Sequence, residues 1–428
     1  MRTRHPCGLY LLALVQTCER FAFFATLPLF VLYLQQRCGL SSDGALLLFG
    51  SLQAASYLSG LPGGYAADQF LGHRLATGLG GVLLTLGYAA LALDIPSLLW
   101  PALGLLVVGH GFFKTSLHAL AGSIYADGDP MRDRGFLLMH IFFNAGSAIG
   151  PLVAEWARAR WGWAAIFQVA TLAMVGSMTS FALGAWAISS SLRAQNKAGA
   201  AVLSAAAQRE RSRACWLVCA IGVVFWLLTM QSGTSLALFA AENTQLAIRV
   251  LGRALRVAPG HFMSLHSLLV LVIAPPLGWL MAYLGRRNQE PSLPGKLAWG
   301  LVAAAAAFAV MGLAGLQGGD SGRVSAEWLG SCYVLLTIAE VLLSPMGLAL
   351  ITRLSPPSRM SQMIGLWFTS TAVGSWLAGA VGLLWHRWPH HRYFVLLALL
   401  ALGAAALLLT QLGRLERILT AERATQAP

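Results

Sequence analysis

The sequence predicts an all-α integral membrane protein, twelve transmembrane helices arranged as two pseudo-symmetric six-helix bundles. Of 428 residues, 57% are hydrophobic and only 11% charged, and the mean hydropathy is +0.67, too apolar for a soluble protein of this length. Apolar runs long enough to span a bilayer recur near 8–34, 44–66, 76–94, 99–122, 136–156, 163–188, 214–240, 261–284, 297–316, 326–351, 361–385 and 393–413. The longest polar interruption falls close to the middle, so the expected organisation is a bundle at 1–188, a cytoplasmic linker at 189–213 and a second bundle at 214–428.

Charge supports this layout. The net charge is +13, but the basic residues punctuate the ends of apolar runs and form no patch with interleaved aromatics, which argues against nucleic acid. With both termini cytoplasmic, inside segments carry 18 Lys/Arg and outside segments 9, the bias expected of a multi-pass protein of the plasma (inner) membrane. No short apolar stretch with a cleavage site precedes the first span, so the first helix is expected to remain a membrane helix. The six cysteines lack metal or disulfide spacing.

In the first helix, Glu19 and Arg20 lie roughly 16 to 18 Å into a core about 30 Å thick, counting from Gly8. They must face protein or water. Gln16, Glu19, Arg20, Phe23 and Phe24 share one helical face. Intramembrane charges are costly and usually line a pathway, although a structural ion pair locking helices together is the alternative. Pro28, one turn on, is expected to kink this helix.

The second run ends in Gly64-Tyr-Ala-Ala-Asp68-Gln-Phe-Leu-Gly72-His-Arg74. Asp68 is expected to end a helix at the cytoplasmic surface, Gly72 to permit a tight turn and Arg74 to follow it, a conformational loop built on Gly64, Asp68, Gly72 and Arg74. Half a chain later Gly278-Trp-Leu-Met-Ala-Tyr-Leu-Gly285-Arg286-Arg287 echoes it, with Ala282 at the acidic position. A second echo pairs Asn144-Ala-Gly146 through Gly150 with Ala372-Val-Gly374 through Gly379. Repeats of this kind are expected of two related bundles. Singly, these glycines read as ordinary helix packing.

The fourth helix buries Lys114, with His110 and His118 on the same face one turn to either side. Asn144 in the fifth helix and Glu340 in the tenth complete a buried inventory of two cations, two anions and an amide. Mixed signs suit a zwitterion. Gly78-Leu-Gly80-Gly81 follows no strand, and no phosphate-binding loop occurs, so neither a dinucleotide nor ATP has support. His386, His390 and His391 lack further ligand residues nearby and are expected to form a solvated basic loop. No cofactor, no metal and no enzymatic activity are expected.

Taken together, these motifs resemble those of the proton-dependent oligopeptide transporter family of the major facilitator superfamily. Glu19-Arg20-Phe21 with Phe23-Phe24 resembles its first-helix signature, Gly64 to Gly72 its loop, Phe113-Lys114 its fourth-helix motif, and Asp129-Pro130 through Asn144 and Gly150-Pro151 its fifth. Phe225-Trp226 with Gln231 and Gly233 resembles the seventh helix, Glu340 to Pro345 the tenth, and Gly365-Leu-Trp367-Phe368 the eleventh. The resemblance implies that Arg20 and Lys114 receive a peptide carboxylate, Asn144 and Glu340 its ammonium, and Phe23, Phe24, Trp226, His266 and Trp367 line the site. It implies proton coupling through Glu19, Arg20, Lys114 and Glu340, with a small peptide, protons and the lipid bilayer as partners.

The chain also departs from the family pattern. Gln16 replaces a glutamate, Phe23 and Phe24 two tyrosines, Ser116 and His266 asparagines, and Leu27 and Met230 a charged gate pair. Because Gln16 does not titrate, Glu19 is the acid left on that face, with Glu340 the other candidate for coupling. An exporter of drug- or metabolite-like compounds and a peptide-binding receptor without turnover are the rival readings.

Overall fold

In a computed structural model the chain is described at residues 7–123, 131–184, 205–250, 253–354 and 360–426. The first apolar run forms α1, Cys7–Gln36, a single helix with Pro28 inside it. It stops where Gly39 takes φ 68° and the Leu40 N–H reaches the Leu34 carbonyl over 3.0 Å, a glycine-closed helix end. Ser41 then caps α2, Ser42–Leu58, by accepting from the Gly44 N–H. Across the loop, Arg37 clamps Asp94 with both Nε and Nη2.

α2 runs on through α3, Gly60–Ala66, and a π turn at Ala67–Leu71 into α4, Gly72–Ala92. This 51-residue run measures about 76 Å at about 1.5 Å per residue, more than twice the membrane core, so it makes two crossings. The reversal lies at Gly72, φ 74° and ψ 148°, whose N–H bonds the Ala67 carbonyl. Helical structure therefore continues past the expected end at Asp68, because the wide turn keeps the backbone bonded up to a residue free to adopt positive φ. The side chain of Asp68 lies outside the described residues.

The other helices are α5 Leu99–Ser123, α6 Met131–Trp161, α7 Ala164–Gly184, α8 Ala205–Thr229, α9 Ser235–Glu242, α10 Pro259–Arg286, α11 Leu293–Gly318, α12 Ala326–Leu354, α13 Met360–Gly382, α14 His390–Thr410 and α15 Leu412–Gln426. Among the described residues, nine runs are long and apolar enough to cross a membrane. The double crossing at Ser42–Ala92, with α6 at 31 residues and α13 at 23, accommodates the twelve crossings that the sequence predicts.

Contacts divide the chain into two compact units, Met1–Gln195 with Ala258–Leu268, and Asn196–Val257 with Leu269–Pro428. In unit 1, α1 packs on α6 and α7 while α4 packs on α5 and α7. A methyl group at Gly150 would come within 2.5 Å of the Phe21 carbonyl oxygen. In unit 2, α11 packs on α12 and α14, α8 packs on α13, and a methyl at Gly374 would come within 2.6 Å of the Val223 carbonyl oxygen. Gly146, the counterpart of Gly374 in the echo, likewise sits against the Thr17 carbonyl oxygen, so the echoed glycines do the same work in each unit, letting backbones approach.

The expected linker is helical in its described part, and two other expectations need correction. Residues 185–204 lie outside the described residues, but the chain is already helical from Ala205, inside the expected linker. An alanine run followed by Arg and Glu favours helix there, and Glu210 meets Arg414 of α15 at 3.5 Å. The second copy of the turn does not repeat the first: Gly285 stays inside α10, and Asn288 takes the positive φ, 54°. His390 is buried, stacked on Trp385 with ring centres 3.9 Å apart, while its backbone N–H donates to Asp320 Oδ1 over 2.8 Å. Aromatic packing, not solvent, decides its place. A hairpin also forms between α9 and α10, Ala247–Val250 against Arg253–Arg256.

Candidate functional site

Glu19 and Arg20 occupy the middle of α1 at 3% and 4% exposure, so their charges must be met by protein. Adjacent on the helix, they meet each other: Arg20 Nε donates to Glu19 Oε2 over 2.5 Å and Nη2 donates to Oε1. A two-pronged pair fixes the guanidinium plane as well as balancing its charge. The plane lies between aromatic rings, 4.8 Å from the centre of Phe23 and 5.2 Å from that of Phe143. Burial makes the pair costly to break from one side only, about 3–5 kcal/mol for an orphaned charge.

Against this face, α5 presents a ladder running the opposite way. His110 Nδ1 stands 3.5 Å from Glu19 Oε1, and its ring meets Phe23 edge to face. Lys114 Nζ lies 4.1 Å over the ring of Tyr57 from α2. One turn further, His118 Nε2 lies 3.5 Å from Gln16 Nε2, and its Nδ1 lies 2.8 Å from the Lys114 carbonyl oxygen. Arg20 and Lys114 line one small space beside Glu19. Between α1, α2, α4 and α5 sits a small cavity of about 30 Å³ that includes Gln53, Ser56, Tyr88 and His110. A second, of about 10 Å³, touches Arg20, Tyr57 and Lys114. About 10–15 Å³ suffices for a water centre, so these spaces suit water and not a peptide.

α6 closes the other side. Phe143 meets Phe24 edge to face, and Asn144 Nδ2 donates to the His140 carbonyl over 3.0 Å while lying 3.2 Å from His140 Nε2. Unit 1 therefore gathers Glu19, Arg20, Phe23, Phe24, Lys114 and Asn144. His266, buried, belongs to the first turns of α10 that group with this unit. Sequence reasoning placed His110 and His118 on the correct face but gave them no role, and it missed Tyr57, His140 and Phe143. Helical spacing from Lys114 and Asn144 points to the three histidines; Tyr57 and Phe143 carried no such signal.

In unit 2, Trp226 and Trp367 lie along the α8–α13 contact, Trp226 Cβ against Gly374 and the buried Trp367 ring against Gly222 and Gly347. Glu340 is half-buried on α12. At the end of α8 the α-helix gives way to a 3-10 turn at Met230–Gly233, where Gln231 Oε1 accepts from Ser235, Thr234 and Tyr393. Leu27 and Met230 are both buried apolar residues, so no charge is orphaned where the resemblance expects a gate pair. Of the loop residues, Gly64 faces Thr115 at ordinary contact distance, Gly72 makes the turn and Arg74 is exposed.

Comparison with known proteins fits this geometry. The chain is 29% identical to a Yersinia enterocolitica protein named peptide transporter YePEPT, over 88% of each chain. It is 27% identical to dipeptide and tripeptide permease A of Serratia proteamaculans, over 88% of this chain and 83% of the relative. A crystal structure of the peptide transporter POT, a glutamate-to-glutamine variant with alafosfalin, superposes with TM-score 0.84 at 27% identity, covering 97% of this chain and 96% of that one. A POT family transporter bound to a thioalcohol-conjugated peptide superposes at 0.88 over 96% and 97%, and at 21% identity speaks for the fold alone. The PTR2 model, described as the POT family, matches residues 76–207 and 187–390, and since these segments span most of both halves, the chain belongs to the POT family.

Proposed function

We propose that this protein carries small peptides or peptide-like zwitterions across the membrane by alternating access, coupled to protons, and does no enzymatic chemistry. The observation that carries the reading is the Glu19–Arg20 pair, two-pronged and buried, standing beside Lys114. A substrate carboxylate can replace Glu19 on Arg20 at no cost in charge balance, with Lys114 as the second cation. Glu19, released, is then ready to take a proton. Glu340 and Asn144 receive the ammonium end, and Phe23, Phe24, Trp226, His266 and Trp367 contribute walls. The relatives named as peptide transporters and di- and tripeptide permeases support this substrate class.

The two six-helix bundles, 1–188 and 214–428, would be the rocking bodies, with Gly64, Asp68, Gly72 and Arg74 forming a loop that reverses between crossings. Both termini face the cytoplasm of an inner-membrane protein, on the 18-to-9 distribution of basic residues. The test is counterflow: proteoliposomes preloaded with unlabelled dialanine should draw in labelled dialanine. A purified, folded protein that exchanges none refutes the carrier reading.

A further inference from the structure

His118 is the exposed member of the α5 ladder, with Lys114 half-buried and His110 buried. Its Nδ1 lies 2.8 Å from the Lys114 carbonyl oxygen. A carbonyl oxygen only accepts, so Nδ1 carries a hydrogen and, in the neutral ring, Nε2 offers a lone pair. That lone pair faces Gln16 Nε2 at 3.5 Å, which leaves Gln16 Oε1 buried without a hydrogen-bond partner among the described residues. A buried amide oxygen in that condition requires a reason. Half a turn of the amide exchanges its two ends and sets Oε1 against Nε2, an arrangement favourable only when Nε2 also carries a hydrogen. The pair therefore has two states that differ by one proton.

We propose that His118 takes up the proton that travels with substrate, and that Gln16 is the residue that stabilises the protonated ring. This rests on the carrier reading above and adds to it a titratable group outside the first helix. A proton from hydronium in the aqueous phase adds to Nε2 and leaves water; the Gln16 Nε2–H contact to that nitrogen is given up, and no covalent bond in the protein breaks. The imidazolium then donates Nε2–H to Gln16 Oε1 and keeps Nδ1–H on the Lys114 carbonyl. Release of the proton to water on the far side restores the neutral ring and the first amide orientation.

The surrounding charges supply the coupling. Those whose fields reach His118 are Lys114 on its own helix and Arg20 and Glu19 on α1. With Arg20 balanced by Glu19, Lys114 leaves positive charge beside the ring. A carboxylate docked on Lys114 and Arg20 cancels it as long as Glu19 stays ionised, so in that state substrate and a proton on His118 each favour binding of the other, as linkage requires. Gln16 does not titrate, whereas the imidazole that faces it does.

The experiment uses purified full-length protein in proteoliposomes with labelled dialanine, read as counterflow and as accumulation driven by a pH gradient. The variant is His118→Asn, whose amide N–H can still serve the Lys114 carbonyl. Counterflow should stay within about threefold of the unsubstituted protein while pH-driven accumulation falls at least tenfold. Adding Gln16→Glu to His118→Asn should return accumulation to within about threefold, because an acid again stands at this contact. Undiminished accumulation in His118→Asn overturns the proposal. So does loss of both activities without rescue by Gln16→Glu, which marks a structural role, and so does an unsubstituted protein that exchanges dialanine but never accumulates it. An unsubstituted protein with no counterflow removes the carrier reading itself, and the proposal with it.

Discussion

The Tyr393 hydroxyl of α14 donates to Gln231 Oε1 over 2.8 Å, joining the buried break after α8 to a helix 162 residues away. Ser235 and Thr234 donate to the same oxygen at 2.7 and 3.1 Å. One amide oxygen thus satisfies three buried hydroxyls where the backbone leaves its regular ladder. Tyr393→Phe removes one donor and leaves the acceptor served, so it should cost about 0.5–1.5 kcal/mol; Gln231→Leu strands the donors at about 1–3 kcal/mol each. Thermal unfolding in detergent should rank Gln231→Leu well below Tyr393→Phe, and equal midpoints would count against the network.

Gly150 and Gly104 form a matched test of helix approach. A methyl at Gly150 would press on the Phe21 carbonyl at 2.5 Å, whereas nothing lies within 4 Å of one at Gly104. Gly150→Ala should therefore lower stability by about 1–3 kcal/mol through forced separation of α1 and α6. Gly104→Ala should be neutral or mildly stabilising, since glycine is a poor helix former. The same unfolding assay decides.

Arg20→Lys keeps the charge but loses the planar fork that holds both Glu19 oxygens and lies between Phe23 and Phe143. Dialanine exchange should fall at least tenfold at unchanged expression. Lys114→Ala should weaken dialanine binding by about 1.5–3 kcal/mol, the range for a hydrogen bond to a charged group. Counterflow measures the first and isothermal titration of purified protein the second, and a wild-type value in either variant would remove that residue from the carboxylate site.

Glu340 tests the other end of the substrate. Glu340→Gln should weaken peptides with a free amino terminus about tenfold or more, and amino-blocked analogues hardly at all, because only the former bring an ammonium to be paired. Competition against labelled dialanine compares the two ligands. Equal losses would assign Glu340 a structural role.

Much of this molecule was determined by local order in the chain. Spans follow from apolar runs, because a bilayer demands about twenty such residues whatever their partners. The shared face of Gln16, Glu19, Arg20 and Phe23, and that of His110, Lys114 and His118, follow from helical periodicity alone. What only tertiary structure decided is which faces meet and at what register. Tyr57 beneath Lys114, Phe143 beside Arg20 and Gln16 opposite His118 join residues 57, 123 and 102 positions apart, and no periodicity within one helix encodes such pairings. The same holds where backbone geometry competes with composition: Asn288 rather than Gly285 makes the second turn, and His390 packs on Trp385 although its neighbours are polar. Local sequence sets the period of each helix, whereas contacts between helices depend on the volumes and hydrogen bonds of partners remote in sequence, and these arise only once the helices pack.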